Sequence, residues 1–146
     1  MKKFLLSLLV AACIAPTVLK ADDDKPIPVD QLPAAAKTFV QQFFADKTIV
    51  SAEVEMKITG KEYEARLSDG TKITFNAEGV WDKVDCKYQA VPASLVPEVL
   101  AAYVQANYPG TMIVKIDKEL YGYELEISNG LDLKFSPDGK LLGIDD

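Results

Sequence analysis

The sequence predicts an α+β fold in which two tandem helix-plus-four-strand repeats share one antiparallel sheet, with both helices on one face. Three observations carry this expectation. A glycine-turn passage is written twice, as SDGTKITFNAEGVWDKVD from Ser68 and as SNGLDLKFSPDGKLLGIDD from Ser128. Each copy follows a stretch of alternating polar and apolar residues, and each alternation follows a proline-framed segment with apolar residues three and four apart.

The repeats do not begin at Met1. Residues 1–21 carry Lys2 and Lys3, an apolar run from Phe4 to Ala15 and the small Ala21, which is the layout of a secretory signal peptide. Pro16 interrupts the run, which falls short of the ~20 apolar residues of a spanning helix, so no membrane span is expected. Val10-Ala11-Ala12-Cys13 also resembles a lipobox, in which Cys13 would be acylated. The apolar stretch continues past it through Ile14 and Val18, so cleavage without lipid is the expected route. Residues 22–26 then form an acidic, flexible N-terminus.

The whole sequence has 16 basic and 22 acidic residues for a net charge of −6, and cleavage removes Lys2, Lys3 and Lys20, taking it to −9. Such a surface disfavours nucleic acid and anionic membranes, which call for basic patches. Only Cys86 remains of the two cysteines, so no intramolecular disulfide is expected and the fold relies on packing.

The first repeat spans residues 27–85. Ile27-Pro28-Val29-Asp30-Gln31-Leu32-Pro33 aligns with Val91-Pro92-Ala93-Ser94-Leu95-Val96-Pro97 in the second, with Asp30 and Ser94 as the expected helix caps. In the first helix Leu32, Ala36, Phe39, Val40 and Phe43 share a face; Val96, Leu100, Tyr103, Val104 and Asn107 do so in the second, where Asn107 weakens the stripe. Ala52, Val54, Met56 and Ile58 then alternate with Ser51, Glu53, Glu55 and Lys57, as a half-buried strand requires, and Val114 and Ile116 follow suit less cleanly.

Parity selects the next turn. A three-residue Ser68-Asp69-Gly70 loop pairs Ala65 with Ile73 and Tyr63 with Phe75, keeping apolar opposite apolar, whereas a two-residue loop would not. Ser128-Asn129-Gly130 does the same for Tyr123 and Phe135. Further glycine turns, at Gly79 and Gly139, lead into the last strands, and residues 86–90 link the first repeat to the second at 91–146. One helix and one short sheet make too small a core alone, so the halves are expected to join edge to edge.

The last strands break the alternation. Trp81 has the opposite parity to Val80 and Val84, and Leu141 the opposite parity to Leu142 and Ile144. A Gly79 bulge pairing Phe75 with Trp81 would turn the indole toward the helices; pairing Phe75 with Val80 would turn it out. Whichever of these residues point outward are expected to centre a partner-binding surface rimmed by Glu64, Arg66, Lys72, Glu124 and Lys134.

Catalytic chemistry is thin. With no histidine, the usual triads, the commonest general base and the commonest zinc ligand are missing. Cys86 has no base to activate it and reads as a structural thiol. Glu62 with Glu64, and Glu124 with Glu126, could serve as acid and base, yet alternating with core positions they read as a solvated sheet face. Asp22-Asp23-Asp24 and the Asp-Gly turns lack the spacing of a calcium loop.

The run GVWDKVDCKYQAVPASLVPEV, the Tyr108-Pro109 after the second helix, and YGYELEISNGLDLKFSPDGKLLGIDD together resemble the PepSY-like, β-lactamase-inhibitor-like proteins, over essentially all of the chain past residue 21. The resemblance implies two α-β repeats forming one curved sheet with a concave face in a secreted or periplasmic bacterial protein. It also implies a peptide or protein partner, since PepSY domains accompany or restrain peptidases. True β-lactamase-inhibitor domains hold their repeats with disulfides, which Cys86 alone cannot supply.

The expected function is therefore a secreted, non-catalytic protein- or peptide-binding module, inhibitory or not, without cofactor or metal, acting as a monomer or weak dimer. The alternative is a carboxylate-based hydrolase of the cell envelope. The intact mass of the secreted protein should correspond to a chain beginning at Asp22. A mass with an acylated Cys13 as first residue would establish a lipid anchor instead.

Overall fold

The computed structural model describes residues 24–146. The expected signal peptide and Cys13 lie outside the described residues. The chain runs through β1 (Lys25–Ile27), a 3₁₀ turn (Val29–Gln31), α1 (Ala34–Phe43), β2 (Ile49–Lys57), β3 (Gly60–Leu67), β4 (Lys72–Phe75) and β5 (Trp81–Asp85). It continues with a second 3₁₀ turn (Ala93–Leu95), α2 (Glu98–Asn107), β6 (Ile113–Glu119), β7 (Gly122–Ile127), β8 (Asp132–Phe135) and β9 (Leu141–Asp145). The strands form one open nine-stranded sheet in chain order, antiparallel throughout. This is an α+β architecture. Periodicity does not announce β1, three residues with Pro26 at the centre, which pairs with β2 along Ala52 to Val54 as an edge strand.

The helices start later than their expected caps. Asp30 and Ser94 lie within the 3₁₀ turns, and the helices begin behind Pro33 and Pro97, with no side-chain cap bond. The cause is steric: a residue before proline is pushed out of the helical region, and Leu32 and Val96 are extended (ψ 145° and 124°). Proline itself can stand at a helix start without loss, since its missing N–H would have no partner there. The Pro33 carbonyl accepts the amides of Ala36 and Lys37 at 3.0 and 3.2 Å, and the Pro97 carbonyl those of Leu100 and Ala101 at the same distances.

Buried residues of both helices and of the strands form one core. Ala36, Val40, Leu100 and Val104 are buried against Ala65, Ile73, Phe75, Ile116, Leu125, Leu133 and Phe135. Phe39 meets Phe75 edge-on at 5.6 Å, and Tyr103 meets Phe135 at 5.2 Å. Each fully buried side chain of this size stabilises the fold by roughly 1.5–3 kcal/mol. Asn107 turns its polarity to use, its amide donating to the Tyr103 carbonyl at 2.9 Å. The hairpin registers are those parity predicts: Tyr63 faces Phe75, Ala65 faces Ile73, and Tyr123 faces Phe135.

The last strands correct an either-or in the sequence reading. Phe75 pairs with Trp81, Thr74 with Lys83 and Ile73 with Val84, leaving Asp82 as the extra residue of a β-bulge. In β9, Phe135 pairs with Leu141, Lys134 with Gly143 and Leu133 with Ile144, leaving Leu142 extra. A bulge inserts one residue and resets the alternation, so residues of opposite parity reach the same face. Trp81 and Val84 thus both face the core, and Val84 is wholly buried. Leu141 packs on the core, and Ile144, opposite buried Leu133, has the core-face parity but on the edge strand remains 46% exposed; Val80 and Leu142 are exposed as well.

The turn before each bulge also seats a helix. A Cβ on Gly79 would stand 2.9 Å from the Pro33 Cβ and 3.0 Å from that of Ala35, and one on Gly139 would strike Val99. Gly79 and Gly70 both have positive φ (83° and 89°), but Gly70 has nothing within 4 Å of a Cβ. Gly70→Ala should cost about 1–2 kcal/mol of backbone strain. Gly79→Ala should cost at least about twice that, because the start of α1 must also move. Urea unfolding of the two variants checks the difference.

Candidate functional site

Pairing across the sheet assigns a second face, opposite the core. Glu53, Glu64, Thr74, Lys83, Asp117, Glu124, Lys134 and Gly143 follow one another from strand to strand along it. The expected rim residues Glu64, Arg66, Lys72, Glu124 and Lys134 all lie on this open face. They form two groups, Glu64 with Lys72 (3.8 Å) and Arg66 on one side, and Glu124 opposite Lys134 on the other, with Lys134 bonded to Asp145 at 2.9 Å. The apolar centre expected between them is replaced by charge.

Between the groups lies a cleft of about 540 Å³, lined by Lys57, Thr59, Glu62, Thr74, Asp82, Lys83, Asp117, Lys118, Glu119 and Leu120. These residues come from β2 through β6, so the sheet is concave here. The cleft exists because β5 and β6 pair only along Lys83, Val84 and Asp85 with Asp117, Ile116 and Lys115. Toward Trp81 and Lys118 the pairing stops, while the β2–β3 and β6–β7 hairpins run on and wall the opening.

Those hairpins end in two-residue turns, Ile58-Thr59 between Lys57 and Gly60, and Leu120-Tyr121 between Glu119 and Gly122. Ile58 and Leu120 are fully exposed, although such turns usually take glycine or small polar residues. The alternation of β2 had placed Ile58 in the buried set. It continues the core parity, yet the tip is solvent-exposed, as is much of Met56. Apolar residues at both turn tips were the sequence signal for this site, and the charged lining was not singled out beyond Glu62.

Within the cleft, Lys57 bonds Glu62 at 2.8 Å, with Glu55 at 3.9 Å, and Lys83 pairs with Asp117 at 3.3 Å. The Lys118 amino group stands 3.9 Å from the centre of the Trp81 ring, whose core side meets Phe39. Burial, then the charges of Glu62 and Asp117, raise the Asp82 carboxyl above its ordinary value, and Lys118 offsets only part of this. Glu119 is raised by burial and by Asp117 and Glu124. Cys86 is buried, and desolvation pushes its thiol up to about 11, so it is inert at neutral pH. Among the described residues no group of three or more His, Cys, Asp or Glu is placed to hold a metal ion.

Comparisons with known proteins agree with this architecture. A family model described as "Putative beta-lactamase-inhibitor-like, PepSY-like" matches residues 61–143. Two solved structures from Bacteroides vulgatus, both described as putative periplasmic proteins, one of unknown function, are similar at TM-score 0.80. Their identities are 33% and 40%, covering 84% and 86% of this chain and 99% of each of theirs. A third, described as a putative calcium-regulated periplasmic protein from Bacteroides thetaiotaomicron, has TM-score 0.79 and 39% identity over 86% of this chain and 99% of its own. No curated protein matches. No helix among the described residues is long and apolar enough to cross a membrane.

Because the folded pKa of Asp82 is raised, its protonated form stabilises the fold below the unfolded carboxylate range. That contribution is lost as pH rises through the folded value. Asp82→Asn should therefore melt above the parent protein at pH 7, with the gap closing as the pH falls through and below the ordinary carboxylate range. Paired thermal melts across this range check the sign.

Proposed function

The chain belongs to the PepSY-like, beta-lactamase-inhibitor-like family, and from that premise we propose that it is a secreted, non-catalytic module that binds a protein or peptide on its open sheet face. The observation that carries this is the concave cleft walled by two hairpins with fully exposed apolar tips, Ile58 and Leu120. Exposed apolar groups beside a charged floor are what an interface offers. Glu64, Arg66, Lys72, Glu124 and Lys134 form the flanks of that surface, and Val80 and Leu142 its remaining exposed apolar members.

The frame is two tandem repeats, residues 27–85 and 91–146, joined by 86–90, with both helices over the core face. Recurrence supports this: the same bulge in β5 and β9, the same register shift at the start of β2 and β6, and the same proline-started ten-residue helix. The signal-peptide layout of residues 1–21 and the similar proteins described as periplasmic support export.

A carboxylate hydrolase is the second reading, favoured by Glu62, Asp82, Asp117 and Glu119 sharing the cleft and by the raised Asp82, which suits a general acid. Two of these carboxylates are held by lysines at 2.8 and 3.3 Å, however, which suits fixed charge better than proton transfer.

Capture from a periplasmic extract separates the readings. Immobilised protein should retain a partner that the double variant Ile58→Asp, Leu120→Asp loses, with far-UV circular dichroism and melting unchanged. Partner retention by that variant would place the interface elsewhere, and envelope-polymer hydrolysis abolished by Asp82→Asn would establish the enzyme.

A further inference from the structure

Resting on that reading of the open face, we propose that its occupant is an extended cationic segment of a partner protein, a stretch carrying lysine or arginine among apolar residues, laid across the cleft between the hairpin tips. Charge complementarity supports it first. Lys57 and Lys83 are engaged by Glu62 and Asp117, and Lys118 lies over Trp81, whereas Asp82 and Glu119 form no ion pair among the described residues. Beside the cleft, Glu53 stands directly opposite Glu64 and forms no ion pair among the described residues, while Glu64 meets Lys72 only at 3.8 Å. Like charges directly across a ladder destabilise a sheet, and an incoming cation relieves what remains of that repulsion. The raised carboxyls of Asp82 and Glu119 have the same origin in part, neighbouring negative charge added to desolvation.

Shape narrows the occupant further. The cleft is open and crosses strands from one hairpin to the other; of the two exposed apolar tips, Leu120 lines it and Ile58 adjoins its lining residue Thr59. An extended segment can set an apolar side chain against Leu120 while its cations meet Asp82 and Glu119. A second copy of this chain would bring its own negative charge to the face, since the sequence is net −6. Anionic membranes and nucleic acid are repelled for the same reason.

The protein contains one tryptophan, Trp81, and it touches the cleft through Lys118, so its fluorescence reports occupancy without a label. Three synthetic peptides of about ten residues would be titrated, sharing the same apolar positions and carrying Lys and Arg, Ser, or Glu and Asp between them. The cationic peptide should bind saturably and about tenfold or more tighter than the neutral one, weakening at least about tenfold in ~0.5 M NaCl, with no response to the acidic one. Asp82→Asn combined with Glu119→Gln should weaken it about tenfold, with circular dichroism unchanged. Equal affinity for the neutral peptide, or full affinity in that double variant, would overturn the cationic assignment and leave peptide binding by the face standing. No response to any of the three, by fluorescence and by calorimetry, would overturn both.

Discussion

A sheet with one face in the core must send its large apolar side chains to that face, and strand periodicity of two leaves little freedom in how this is done. Two ten-residue helices add Ala36, Val40, Leu100 and Val104 to the same core. The centre of that face is buried, from Ala65 and Ile73 through Ile116 to Phe135, with Trp81 and Tyr123 partly so. Among the described residues nothing covers the opposite face, which carries charge at almost every outward position. Where the chain could not meet the constraint by alternation, it inserted a residue. The bulges at Asp82 and Leu142 turn Trp81 with Val84, and Leu141 with Ile144, onto the core face.

The helices are shorter than the longest strands, β2 and β3, and the site follows from that mismatch. At about 1.5 Å per residue a ten-residue helix spans about 15 Å, whereas the nine residues of β2 at about 3.3 Å span about 30 Å. The far ends of the long hairpins therefore extend past the cover, and residues that continue the core parity, Met56 and Ile58, emerge into solvent. β4 and β5 are only four and five residues long, so between the overhanging hairpins the sheet falls short and a cleft opens. The bulge contributes as well, because the residue it leaves unpaired, Asp82, lines that cleft.

How legible this was depended on the range of the interaction involved. The hairpin registers around Gly70 and Gly130 could be read because parity and a turn glycine act over a few residues. That Glu64, Arg66, Lys72, Glu124 and Lys134 share the open face could be read because each alternates with a core residue on its own strand. The helix starts were misplaced because Asp30 and Ser94 are good caps in isolation, while the stronger local rule belonged to Pro33 and Pro97. Trp81 was left open because a bulge is decided by pairing with β4, and the apolar outward patch was expected because that bulge was not granted to both last strands. The cleft required the lengths of five strands to be compared with the reach of two helices, which no window of sequence contains.

The junction of β5 and β6 is where these constraints meet. The two halves of the sheet pair there along Lys83, Val84 and Asp85, the Cys86 amide donates on to the Val114 carbonyl at 2.8 Å, and the Lys83–Asp117 pair marks the end of the ladder on the cleft side. Beyond it the contact passes from backbone to side chains, Lys118 reaching across to Trp81 while the other side of that indole rests on Phe39 of the first helix. Charge in the cleft is thus coupled to the core through a single aromatic ring. Lys118 is partly desolvated, which lowers its pKa, and Asp82 works against that shift. A group that draws either of them away changes the packing of the one residue that joins the open face to the helix beneath it.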